Sequence, residues 1–126
     1  MPARVVDASV LAAWCFREPR APEALGLLQG SDLYAPVLLA YELNSIARRK
    51  ATVYPHRLDV LTEALQAALA LPIHWIEVDH VAVLRLALDV NLTTYDASYL
   101  YLARALGASL ATFDQRLARA DRNVGA

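Results

Sequence analysis

Short apolar runs that alternate with helical stretches constrain this 126-residue chain more than any other feature. Arg4-Val5-Val6, Leu33-Tyr34-Ala35, Ile73–Val78 and Leu110-Ala111-Thr112-Phe113 read as strands. Between and after them the pattern changes to a helical period. Helices are predicted over Ser9–Phe16, over Glu23–Gln29 with Gly30 closing it, and through Leu39, Leu43 and Ile46 to about Ala51. Pro55 suits the first turn of the next helix, whose stripe is Leu58, Leu61, Leu65 and Leu69 and which Pro72 ends. Asp79 can cap a helix over Val81–Val90, a further one runs from Thr94 to Leu106 and stops at Gly107, and Gln115–Ala120 is the last. A helix between two strands returns the chain to the same edge of the sheet. The expected fold is therefore α/β, a mainly parallel sheet covered on both faces, with residues 1–126 as one domain.

Composition narrows the function classes. Hydrophobic residues make up 57% of the chain, so it is not a disordered one, and 12 Lys+Arg against 13 Asp+Glu leave a formal charge of −1. Bulk charge therefore does not hold this protein to nucleic acid or to a membrane, although a local basic patch remains open. Cys15 stands alone and no Cys/His spacing suggests zinc. The apolar stretches Ala35–Tyr41 and Ala67–Ile73 fall well short of the ~18 residues that suggest a membrane span. Arg4-Val5-Val6 enters a strand with no basic-then-apolar leader before it, so the expected location is the cytoplasm.

In a parallel sheet, ligands sit beyond the carboxyl ends of the strands. Asp7 closes the first strand and Asp114 the last, which brings both carboxylates to one edge. Asp96 stands at the head of its helix, above Tyr99, Leu100 and Ala103 on the face that packs on the sheet. Glu42 lies at the margin of the stripe made by Leu39 and Ile46. Crowded like charges are costly unless protons or cations neutralise them, and no lysine or arginine lies within three residues of Glu42 or Asp96. Hard divalent ions such as Mg²⁺ or Mn²⁺ take oxygen donors of this kind. Paired ions ~3.5–4 Å apart can activate a water and stabilise a leaving oxygen in phosphodiester cleavage.

Each residue also has a plainer role open to it. Asp7 and Asp114 suit helix N-caps, Asp96 with Thr93 fits a capping box, and Glu42 has Arg49 about two turns away as an ion-pair partner. Ser9 and Thr112 place hydroxyls two residues from Asp7 and Asp114, to orient carboxylates or waters or simply to cap and turn. Arg48-Arg49-Lys50 is the one dense basic run, able to meet RNA phosphates yet also at home at a helix C-terminus. His56, His74 and His80 share no ligand spacing, and Trp14, Tyr99 and Tyr101 suit core or dimer packing better than base stacking.

Val5-Val6-Asp7-Ala8-Ser9-Val10-Leu11, Tyr41-Glu42-Leu43-Asn44, Thr94-Tyr95-Asp96-Ala97-Ser98-Tyr99 and Ala111-Thr112-Phe113-Asp114-Gln115-Arg116-Leu117 together resemble the PIN-domain family. Within it, the likeness is to the small VapC-type ribonuclease toxins of toxin–antitoxin pairs, and it runs from about Arg4 to Leu117. The resemblance implies a three-layer α/β/α fold and a Mg²⁺- or Mn²⁺-dependent endoribonuclease, inhibited by a cognate antitoxin and frequently a homodimer. It implies Asp7 and Asp96 as principal metal ligands, with Asp114 completing the site directly or through water. Glu42 would ligate a second ion or position the attacking water, and Ser9 and Thr112 fall in the layer behind the ligands. The tail Asn123-Val124-Gly125-Ala126 is short and weakly apolar, so a closing edge strand common in the family is expected to be absent or truncated.

Two other readings, one enzymatic and one a binding module, fail on particular residues. An aspartyl-phosphate mechanism favours a second carboxylate where Ser9 stands and a late lysine, but Lys50 is the only lysine. A nucleotide-binding module wants glycines after the first strand, and none lies near Asp7. The rival that survives is a non-catalytic, acidic-centred α/β module binding a basic protein partner, with arginine in place of metal.

Overall fold

The computed structural model describes residues 1–123. Four strands, β1 (Ala3–Val6), β2 (Asp32–Pro36), β3 (His74–Ile76) and β4 (Ser109–Ala111), form one sheet in the order β3-β2-β1-β4. Every pairing is parallel, with Val5 of β1 in register with Tyr34 on one side and Leu110 on the other. The helices are α1 (Ala8–Cys15), α2 (Ala21–Leu28), α3 (Leu38–Val53), α4 (Leu58–Leu69), α5 (His80–Val90), α6 (Thr94–Leu106) and α7 (Gln115–Arg122). They fall into two packed groups. One joins α1 to α2, α3 and α4; the other joins α6 to α5 and α7, with α6 lying against β1, β2 and β4. The expected alternation thus produces two helical layers around a parallel sheet.

The central strand explains the burial. Val5 and Val6 of β1 are fully enclosed because β1 has neighbours on both edges and helices over both faces. Val10, Leu11, Leu39, Leu43, Leu100 and Leu117 complete the core around it. Each such side chain contributes roughly 1.5–3 kcal/mol on burial.

Local boundaries differ from the sequence expectation for identifiable reasons. Pro55 disfavours helical geometry at Tyr54, which takes φ −126° and ψ 72°. The helix α3 therefore ends at Val53, and a single 3-10 turn at Pro55–Arg57 precedes α4. β4 ends at Ala111 instead of Phe113, because Thr112 and Phe113 bond to side chains at the head of α1 and leave the ladder. β3 is confined to His74–Ile76 within the expected 73–78 run. Gly107 ends α6 as expected, in the left-handed conformation at φ 61°. An edge strand beyond Asn123 would involve residues 124–126, which lie outside the described residues.

Candidate active site

Asp7 is the pivot of the strand edge. It follows β1 directly, and its N–H continues the ladder by donating to Ala111 O at 3.2 Å. It is only 5% exposed. Its Oδ1 accepts from Ser9 Oγ at 2.6 Å and from Val10 N at 3.2 Å, and its Oδ2 accepts from Thr112 Oγ1 at 2.5 Å. Both hydroxyls are used twice. Ser9 Oγ accepts from Phe113 N and Thr112 Oγ1 accepts from Asp114 N, each at 2.9 Å. The spacing Asp7-Ala8-Ser9 thus lets one helix head hold the carboxylate and dock the segment that carries Asp114. Capping and a second role coexist at Asp7, since the Val10 contact is an ordinary N-cap bond.

The other three carboxylates come from three further helices. Glu42, half-buried on α3, accepts a short hydrogen bond from Tyr99 Oη of α6. Asp96 sits in the first turn of α6, where its backbone N–H donates to Thr93 Oγ1 at 3.1 Å. Among the described residues the reciprocal bond of a capping box, from the Thr93 N–H to the Asp96 carboxylate, is not made, although the Thr93 hydroxyl favours the charged carboxylate. Asp114 caps α7 by accepting from Leu117 N through Oδ1 at 2.9 Å, and its residue is exposed.

Electrostatics tie the four together. Burial pushes the Asp7 carboxyl above its ordinary range; the Ser9, Thr112 and Val10 hydrogen bonds pull it back and the Asp114 charge pushes it further. Burial also raises Glu42, against the Tyr99 hydrogen bond and with help from the charges of Asp96 and Asp7. Asp96 is raised by burial and by Asp114, with Thr93 and Arg116 opposing. The Tyr99 hydroxyl is held in its neutral, donating form by burial and by Glu42 beside it.

Among the described residues no group of three His, Cys, Asp or Glu side chains converges into a ready metal cage. The donor set is nevertheless all oxygen, three of its four members are raised in one another's company or by burial, and no histidine or cysteine intrudes. That chemistry fits a hard cation held by one or two carboxylates and several waters, which is the habit of Mg²⁺.

The remaining expectations separate. Arg49 donates to Ser45 Oγ at 3.3 Å and forms no ion pair with Glu42, removing the plainer reading of that carboxylate. Lys50 pairs with Glu18 at 2.8 Å. Arg49 and Lys50 line a groove that reaches Ser9 and Phe113, whereas Arg48 faces α4 on the other side of α3. The basic run is split between two surfaces. Asp79 caps α5 through Ala82 N, as expected. His74 pairs with Asp32, and His56 and His80 are exposed.

Sequence reasoning missed two contributors. Tyr99 reads as an apolar core residue, and only the approach of α3 to α6 turns its hydroxyl onto Glu42. Arg116 is the cation whose charge opposes the rise at Asp96, and its place two residues after Asp114 on the first turn of α7 was the available signal.

The fold and this edge define a PIN domain, and the chain belongs to that family: residues 4–123 match the family model of the PIN domain. It is 35% identical over 123 residues to Ribonuclease VapC3 of Pyrobaculum aerophilum, spanning 90% of this chain and 91% of that protein. The crystal structure of PAE2754 from Pyrobaculum aerophilum matches with a TM-score of 0.78 at 25% identity, over 94% of this chain and 84% of that one. The three-layer α/β/α arrangement expected from the sequence is the fold shared with that structure. Among the described residues no helix is long and apolar enough to cross a membrane.

Proposed function

We propose that this protein is a Mg²⁺- or Mn²⁺-dependent endoribonuclease, the toxin of a toxin–antitoxin pair, with residues 1–126 forming one PIN-like domain. One observation carries the reading. Four carboxylates from separate elements meet at one sheet edge, and burial together with one another's charges raises three of them above their ordinary range, with Arg116 opposing only at Asp96. Similarity to a protein named as a ribonuclease supports RNA as the substrate.

In this reading Asp7, Asp96 and Asp114 hold the cation, Asp114 directly or through water. A bound Mg²⁺ or Mn²⁺ would supply the Lewis acidity that activates water and stabilises a leaving oxygen. The chain's own part is preorganisation. Ser9 and Thr112 fix the rotamer of Asp7, so its oxygens need not reorganise when a charge arrives. Tyr99 orients Glu42, leaving one of its oxygens to position a water or a second cation. Arg49 and Lys50, on the groove that reaches Ser9, are the candidates for meeting RNA phosphates, with Arg48 a weaker candidate on the far face. A cognate antitoxin, a homodimeric state and a cytoplasmic location complete the proposal.

The competing reading is a non-catalytic module that seats a basic partner on the carboxylates. The lack of a three-ligand cage among the described residues favours it. Calorimetric titration of chelator-treated protein with Mn²⁺, beside Asp96→Asn, separates the two. Binding that the variant loses is expected. No binding to the folded, partner-free wild type overturns the metal-dependent reading and leaves the module.

A further inference from the structure

The turn from α1 into α2 is fixed more firmly than an exposed connection requires. Arg17 stands in the left-handed region at φ 54°, a strained conformation for a residue with a Cβ that persists where the surroundings enforce it. Glu18 is pinned to α3 by its 2.8 Å ion pair with Lys50. Arg20 then occupies the N-cap of α2, where Ser, Thr, Asp or Asn would ordinarily accept a backbone N–H, and its side chain makes no such cap. Instead, Glu23 in the first turn holds the guanidinium through two hydrogen bonds, Nε to Oε2 at 2.9 Å and Nη2 to Oε1 at 2.8 Å. So held, the guanidinium carbon lies 3.7 Å from the centre of the Phe113 ring. A planar cation over an aromatic face is attracted by the quadrupole of the ring.

Phe113 belongs to the segment between β4 and α7, which has left the sheet. Its backbone N–H donates to Ser9 Oγ at 2.9 Å, and Ser9 Oγ donates to Asp7 Oδ1 at 2.6 Å. On one side of it in the chain is Thr112, whose hydroxyl holds the other oxygen of Asp7; on the other is Asp114. Anchoring the Phe113 ring therefore anchors the stretch that supplies Thr112 and Asp114 and that meets Ser9.

On the proposed metal-dependent reading, we infer that Arg20 is a positioning residue: through the face of Phe113 it clamps the β4–α7 segment against α1 and keeps Asp7 and Asp114 in place for one cation. Among the described residues its hydrogen bonds go to Glu23 and to neither of those carboxylates, so it acts through the ring alone. Glu23 sets the angle of the guanidinium, and the strained turn at Arg17 sets where it reaches.

The test is calorimetric titration of the chelator-treated full-length chain with Mn²⁺, paired with amide hydrogen exchange of the metal-free protein followed at Phe113 by NMR. Arg20→Ala is expected to weaken Mn²⁺ binding ~3- to 10-fold and to speed exchange at the Phe113 N–H, with the melting temperature little changed. Arg20→Lys, which keeps a cation able to reach the ring, should restore most of the affinity. Phe113→Leu should also weaken binding, and the double variant should be no worse than Phe113→Leu alone. Losses that add in the double variant, or an affinity and exchange rate untouched by Arg20→Ala, overturn the clamp while leaving the nuclease reading intact. Weaker binding of a 12-nucleotide RNA by Arg20→Ala, with Mn²⁺ affinity unchanged, makes Arg20 a phosphate contact and also overturns it. No Mn²⁺ binding by the folded wild type overturns the metal-dependent reading and the positioning role together.

Discussion

At the amino-terminal end of the sheet, Asp32 opens β2 and meets His74 of β3 at 2.9 Å, while Tyr34 stacks on the His74 ring at 4.5 Å between centroids. At the carboxyl-terminal end, Asp7 is buried among hydroxyls with Asp114, Glu42 and Asp96 around it. The same residue type is treated in opposite ways by one sheet. Asp32 is half exposed beside a partner that can carry the opposite charge; Asp7 is enclosed with groups that carry the same charge. An arrangement that works against folding persists where it serves something else, which is why the proposed function rests on the unfavourable end.

Substituting the two aspartates gives the sharpest contrast. Asp7→Asn keeps the acceptor that Ser9 and Val10 require but removes the charge, and RNA cleavage is expected to fall more than about 100-fold. Asp32→Asn should leave cleavage at the wild-type rate. A cleavage assay in which both variants lose activity, or neither does, breaks the comparison.

Thr112→Val is the next largest effect. It removes the hydroxyl that links Asp7 to the Asp114 backbone, and a loss of ~10- to 100-fold in Mn²⁺ affinity is expected by calorimetry. An unchanged affinity would make Thr112 a turn residue only.

The carboxyl-terminal end also carries a response to pH. The Asp7, Glu42 and Asp96 carboxyls are raised in the folded protein, so over the acidic range the native state binds more protons than the unfolded chain. Stability from this source is fully present below the unfolded carboxyl pKa of about 4 and is lost as pH rises through the raised native values. Metal-free protein should therefore melt several degrees higher near pH 5 than near pH 7.5, and saturating Mg²⁺ should flatten the difference. Melting that instead rises with pH would show that the edge is already neutralised.

The smallest effect belongs to the amino-terminal end. Asp32→Asn breaks a solvent-exposed pair and should cost less than about 1 kcal/mol in denaturant unfolding. A larger cost would mean that this cluster is structural in a way its exposure conceals.

Much of the acidic edge was legible because Asp7 and Asp114 follow apolar runs and their place relative to a parallel sheet follows from that. The end of α6 at Gly107 was legible for a similar reason, since glycine there accepts a left-handed conformation. The end of β4 was not. Thr112 and Phe113 look like strand residues by type, and only their bonds to Asp7 and Ser9, some 105 positions away, take them out of the ladder. Tyr99 and the division of Arg48 from Arg49 were hidden because both depend on how α3 sits against its neighbours.

By itself, the sequence determined the α/β alternation, the parallel sheet and the four acidic positions, because periodicity and strand ends are local properties of the chain. Only the tertiary structure decided which hydroxyls grip Asp7, that Tyr99 serves Glu42, and that Arg48 and Arg49 face different grooves. Those are meetings between residues far apart in the chain. They depend on helix rotation and packing, which no short stretch of residues encodes.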